Sequence, residues 1–75
     1  MQKALDLAEK AKEKDKKAEY KEAFLMYTMS LDYFLAATED VMSENVKHSL
    51  LRTMKVYITR AEKIKSHLEK VGLKR

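Results

Sequence analysis

Catalysis and metal binding both need reactive side chains that can meet, and this chain offers few. Its two histidines, His48 and His67, are nineteen residues apart. On one helix, where the surrounding periodicity puts both, that separation is more than about 25 Å of rise. The turn after His48 brings Leu51 and Arg52, and the turn after His67 brings Lys70 and Val71. Neither histidine therefore has the second ligand at i+3 or i+4 that metal-binding helices use, and both read as solvated surface residues. Glu39 and Asp40 are neighbouring carboxylates, but adjacent positions of a helix point to different sides. The chain has no cysteine and a single glycine, Gly72, so a thiolate nucleophile, a zinc–thiolate site, a disulfide framework and a glycine-rich phosphate loop are all excluded. The expectation is a domain that is not an enzyme, with no catalytic residue, no metal and no cofactor.

What remains is a helix-forming sequence. Its 75 residues contain no proline and are 37% charged, with Ala, Glu, Lys and Leu prominent and β-branched residues sparse, which predicts an all-α domain with one small core. No run of about 18 apolar residues is present, so no membrane span or secretory segment is expected. The net charge of +4 is unevenly spread. Residues 1–21 carry seven Lys against five acids, residues 22–45 five acids and no base, and residues 46–75 nine bases against two acids. Antiparallel packing of the last two segments would partly cancel their fields, which argues against a phosphate-backbone-binding face. Tyr57, the tyrosine of the third segment, belongs to its apolar seam, so no aromatic residue is interleaved with the basic ones on an exposed face for base stacking. No nucleic-acid partner is expected.

Periodicity resolves three helices, expected at about 1–17, 20–42 and 45–71. In the first, Ala4, Ala8, Ala11, Asp15 and Ala18 recur at spacings of 4, 3, 4 and 3 with Leu5 beside them, a seam small enough for close helix approach. The second sets Tyr20, Ala23, Tyr27, Ser30, Phe34, Ala37 and Val41 on one face, with Phe24, Leu31, Leu35 and Thr38 adjoining, and Met26, Met29 and Tyr33 on a further flank. It is apolar over far more than the stripe a surface helix needs, and should be the central helix, covered on two sides. The third carries Val46, Leu50, Met54, Tyr57, Ala61, Ile64, Leu68 and Val71 in a near-heptad seam, with Leu51 and Ile58 as a second short stripe.

Local signals mark the ends less evenly. Gly72 sits where a left-handed residue would close the third helix after Val71, with Leu73 positioned for the accompanying hydrophobic contact. Ser43 or Asn45 could cap its start. No glycine or proline separates the first two helices. One continuous helix to Val41 would leave most of its apolar face uncovered, which places a break within residues 16–19.

The small seam Ala4, Ala8, Ala11, with Asp15, Tyr20-x-x-Ala23-x-x-x-Tyr27, the stretch "LDYFLAA" and Arg60-Ala61-Glu62 followed by Ile64-Lys65, together resembles the MIT domain, the microtubule-interacting and trafficking module. The likeness runs from Met1 to about Leu68. It implies an antiparallel three-helix bundle, a single module cut from a longer protein, that binds short C-terminal tail motifs of ESCRT-III subunits and recruits an attached AAA ATPase. The domain itself would be monomeric and its parent homo-oligomeric. The setting would be the cytoplasm, with recruitment to endosomal membranes and only indirect contact with lipid.

In the family a helical motif lies between helices two and three, and an extended motif between helices one and three. Candidates for the first groove are Met26, Met29 and Tyr33 on one wall and Leu51 and Ile58 on the other, with Glu62 available to a basic ligand residue. Candidates for the second are Leu5, Ala8, Ala11, Met54 and Ala61. Asp15 is expected to serve the turn structurally. Thr59 departs from the acidic residue that many helical-motif binders carry just before Arg-Ala-Glu. A generic or TPR-like helical scaffold, the same module from a kinase, protease or microtubule-severing ATPase, and a lipid-surface module are the alternative readings. A long third helix without a second 34-residue repeat argues against the TPR form.

Overall fold

A computed structural model describes the backbone of residues 2–73 and the side chains of residues 2–72. It contains three helices, α1 (Gln2–Lys16), α2 (Tyr20–Asp40) and α3 (Glu44–Leu73), within a rod of 48 × 18 × 16 Å. The all-α, three-helix expectation holds, and α2 is the central element, packed along both α1 and α3.

The alanine seam explains the first contact. Ala4, Ala8 and Ala11 are buried, as is Ala23 of α2, and side chains this small let two helix backbones come close. The wider space between α2 and α3 is filled by rings. Tyr57 stacks on Tyr27 at 5.9 Å between centroids and on Phe34 at 5.8 Å, offset contacts that add to the area they bury. Ser30 and Thr38 are the buried polar residues of this core, and each satisfies its hydroxyl on its own helix, Ser30 donating to the Tyr27 carbonyl and Thr38 to that of Leu35. Leu7, which the alanine seam leaves out, is buried as well. Val46 and Val71, the outermost positions of the α3 seam, are exposed, because α3 runs 30 residues against 15 for α1 and overhangs its neighbours.

The break between α1 and α2 falls where uncovered apolar surface requires it, and its geometry has no glycine behind it. Ala18 takes φ 62°. Its N–H bonds the Asp15 carbonyl at 3.0 Å, and the Glu19 N–H reaches back to the Lys14 carbonyl at 2.9 Å. This is a Schellman closure with Ala18 at the left-handed position that glycine normally fills. At the other end α3 ends at Leu73, within two residues of the expected Val71, but the capping role expected of Gly72 is corrected: it lies inside α3, with no left-handed φ. The hydrophobic contact foreseen for the Leu73 side chain lies outside the described residues, as do Met1, Lys74 and Arg75. Ser43 rather than Asn45 precedes α3, its carbonyl accepting the Lys47 N–H at 3.0 Å.

A left-handed alanine costs its Cβ a clash with the following carbonyl, about 1 kcal/mol or more. Ala18→Gly should therefore raise unfolding free energy by about 1 kcal/mol in urea titrations. A destabilised variant would show that residue 18 does not hold this conformation.

Candidate functional site

A charge clamp at the lower end of the bundle fixes which flank of each helix faces which neighbour. Asp15, on the last turn of α1, accepts two hydrogen bonds from Arg60 of α3, Nε to Oδ2 and Nη2 to Oδ1, both 2.6 Å. Its Oδ2 also takes the Tyr27 hydroxyl of α2 at 3.2 Å. One carboxylate thus touches all three helices. The fork-on-carboxylate geometry is the strong form of the ion pair. The Asp15 side chain is 13% exposed and that of Arg60 44%, so solvent screens part of its worth. The Arg60 guanidinium holds the Asp15 carboxyl below the usual carboxylate range against the opposing effect of burial. Burial, reinforced by Asp15, pushes the Tyr27 hydroxyl up to about 12, so it stays a donor throughout the neutral range. The structural role expected of Asp15 is this one.

Two cross-helix contacts then assign the flanks of α2. Lys3 of α1 lies over the Tyr33 ring, 5.6 Å from its centroid, and Lys14 of α1 pairs with Glu22 at 3.1 Å. The row 22, 26, 29, 33 therefore runs beside α1. Met26, Met29 and Tyr33 were expected on the wall facing α3, and the structure corrects this: they flank α1. Residues two apart on a helix point about 200° apart. The companion row, Phe24, Thr28, Leu31 and Leu35, consequently turns toward α3.

The same rule applied to α3 keeps the other wall in place. Arg60 faces α1, so Ile58, two residues before it, lies on the opposite flank with Leu51 and Glu62, toward α2. Leu35 is 52% exposed, Leu51 46% and Ile58 41%, whereas Phe24, Thr28 and Leu31 are half-buried. Leu31 also packs on the cluster of Ala4, Ala8, Phe34 and Met54. The α2/α3 groove is thus an apolar trough anchored in the core, with the exposed carboxylate of Glu62 at its edge.

The α1/α3 side is different. Ala8, Ala11, Met54 and Ala61 are buried by this chain itself, while Leu5 is exposed. Between the two helices a hollow of about 370 Å³ is lined by Lys12, Asp15, Lys16, Tyr27 and Arg60, and the Lys12 ammonium lies 5.6 Å from the centre of the Tyr57 ring. Its surface is cationic and aromatic, and none of the four buried candidates lines it. Among the described residues no group of three or more His, Asp or Glu side chains is placed to hold a metal ion, and no helix is long and apolar enough to cross a membrane.

The model of the MIT (microtubule interacting and transport) domain matches residues 1–66. The chain belongs to the MIT family. Over 70 residues it is also 34% identical to vacuolar protein sorting-associated protein 4 of Dictyostelium discoideum, a match that takes in 93% of this chain and 16% of that relative's length. An MIT domain is a helical interaction module and not a catalytic one. Of the positions that shape this MIT domain, the sequence signals single out Leu51, Ile58, Glu62 and Asp15. Arg60 is legible only as one basic residue among several, because its partner is 45 positions away.

Replacing Asp15 by Asn should cost about 1–2 kcal/mol, since it removes a charge-assisted fork and weakens the acceptor for Tyr27. A carboxyl whose pKa is depressed by folding contributes stability above its unfolded value, about 3.9, and loses it as pH falls through the lower folded value. Urea midpoints measured from pH 7 to 2 should converge for wild type and Asp15→Asn at the acid end. Parallel curves would remove Asp15 from the account of stability.

Proposed function

We propose that this domain recognises C-terminal tail motifs of ESCRT-III subunits in the α2/α3 groove. The observation that carries the reading is the exposure of Leu35 on α2 and of Leu51 and Ile58 on α3, on flanks that helical spacing turns toward one another, with exposed Glu62 on the same flank of α3. An amphipathic helix would lay its apolar stripe along that trough, and a basic residue one turn on would reach Glu62. Membership in the MIT family and the likeness to a vacuolar protein sorting-associated protein support the choice of partner. An extended tail segment is the second ligand proposed, lying over Leu5 and the cationic hollow between α1 and α3. The module serves as the recruiting domain of a longer protein whose AAA ATPase oligomer acts on the captured polymer. It works in the cytoplasm and at endosomal membranes, where its contact with lipid runs through the partner.

Grooves this shallow give modest affinity, roughly micromolar to tens of micromolar, where about 7 kcal/mol of net binding suffices, and many tails on one polymer supply avidity. Titration of the domain with a helical ESCRT-III tail peptide by NMR should give that range. Ile58→Asp and Leu35→Asp should each weaken binding by more than about tenfold by placing a charge in the apolar contact, while Met29→Asp, on the α1 flank, leaves it within about twofold. Circular dichroism reports that each variant is folded. Loss of binding in Met29→Asp with retention in Leu35→Asp would put the ligand on the other side of α2.

A further inference from the structure

Beside the Asp15 clamp, and outside the α2/α3 groove, lies a hollow of about 170 Å³ lined by Tyr20, Arg60, Lys63, Ile64 and His67. Four of these are one face of α3, at spacings of 3, 1 and 3, and Tyr20 closes it from the start of α2. Ile64 is buried and forms its floor. The Tyr20 and His67 rings meet edge to face at 5.1 Å and 72°, which orients the imidazole.

The charges around it are sorted in an uneven way. The acidic side chains nearest in sequence to Tyr20 are already engaged, Asp15 by Arg60 and Glu19 and Glu22 both by Lys14 at 3.3 and 3.1 Å, and Glu62, two residues after Arg60, lies on the opposite flank of α3. Asp15 takes two of the five guanidinium N–H donors of Arg60 and leaves the rest. Among the described residues Lys63 and His67 make no ion pair within 4.0 Å. A fixed fork, an ammonium and an imidazole converge on a small concavity with a phenol at its rim, and donors of this kind suit a compact oxyanion with several acceptor oxygens.

We infer that this hollow binds the phosphoryl group of a phosphorylated serine or threonine in a partner protein. A peptide source is favoured over a lipid headgroup because the adjoining turn, Lys17-Ala18-Glu19, has no large apolar side chain to enter a bilayer, and because Arg60 also lines the α1/α3 hollow, along which a chain could continue. The site is independent of the α2/α3 groove, since none of Arg60, Lys63 and His67 belongs to it.

The probe is O-phosphoserine, titrated into ¹⁵N-labelled domain at constant ionic strength, with serine as the control. Saturable shifts confined to residues around Arg60, Lys63 and His67 are expected, at roughly millimolar affinity. Lys63→Gln and His67→Gln should each weaken binding by about three- to tenfold, and Lys63→Arg should restore it, while all three variants bind the helical tail peptide as wild type does. Linear shifts scattered over the lysines, or undiminished binding in both glutamine variants, would overturn the assignment. Cosedimentation with phosphoinositide vesicles that depends on Lys63 and His67, with no phosphoserine binding, would overturn the choice of a peptide.

Discussion

Ala4, Ala8 and Ala11 set α1 against the small residues of α2, and the position of every other side chain in the bundle follows from that close approach. Larger residues along the seam would push α1 outward. With α1 held to one flank of α2, the opposite flank is left for α3, and the gap there is wide enough to take the stacked Tyr27, Phe34 and Tyr57 rings. One helix face is thus small and tight, and the other is large, with Leu35, Leu51 and Ile58 left exposed along its edge.

The Asp15 clamp is a consequence of the same arrangement. Only when α1 and α3 both lie on α2 does the end of α1 come level with Arg60, and only then can the Tyr27 hydroxyl, rising from the central helix, join the same carboxylate. The clamp's energetic worth is moderate because Arg60 is partly in water. Its structural effect is orientation: it fixes α3 about its own axis, and with it the direction of Ile58 and Leu51 toward α2 and of Lys63 and His67 toward the end of α1.

Much of this was legible in the sequence, and the exceptions share physical causes. Apolar spacing tells which residues share a helix face, so the three helices, the central place of α2, the Ala seam and the Ile58 stripe follow directly. Spacing does not tell the hand in which three helices are arranged, and mirror-image bundles satisfy the same pattern. Met26, Met29 and Tyr33 were therefore recognisable as a flank but assigned to the wrong neighbour, and Leu35 was read as ordinary adjoining core. Turn chemistry failed for a different reason. Ala18 holds a conformation that its residue type does not advertise, enforced by tertiary closure of α1 on α2, whereas Gly72 advertises a left-handed cap and stays within α3.

The central claim is that α2 turns the row ending in Tyr33 toward α1 and the row ending in Leu35 toward α3. Its most direct test is a ¹³C-edited NOESY spectrum of the domain in solution. The account predicts cross-peaks between the Tyr33 ring and the Lys3 side chain and between the Leu35 and Leu51 methyl groups, with none from Tyr33 to Leu51 or Ile58. Cross-peaks from Tyr33 to Leu51 or Ile58 would mean the opposite hand of packing, and the groove described here would then lie on the wrong side of α2.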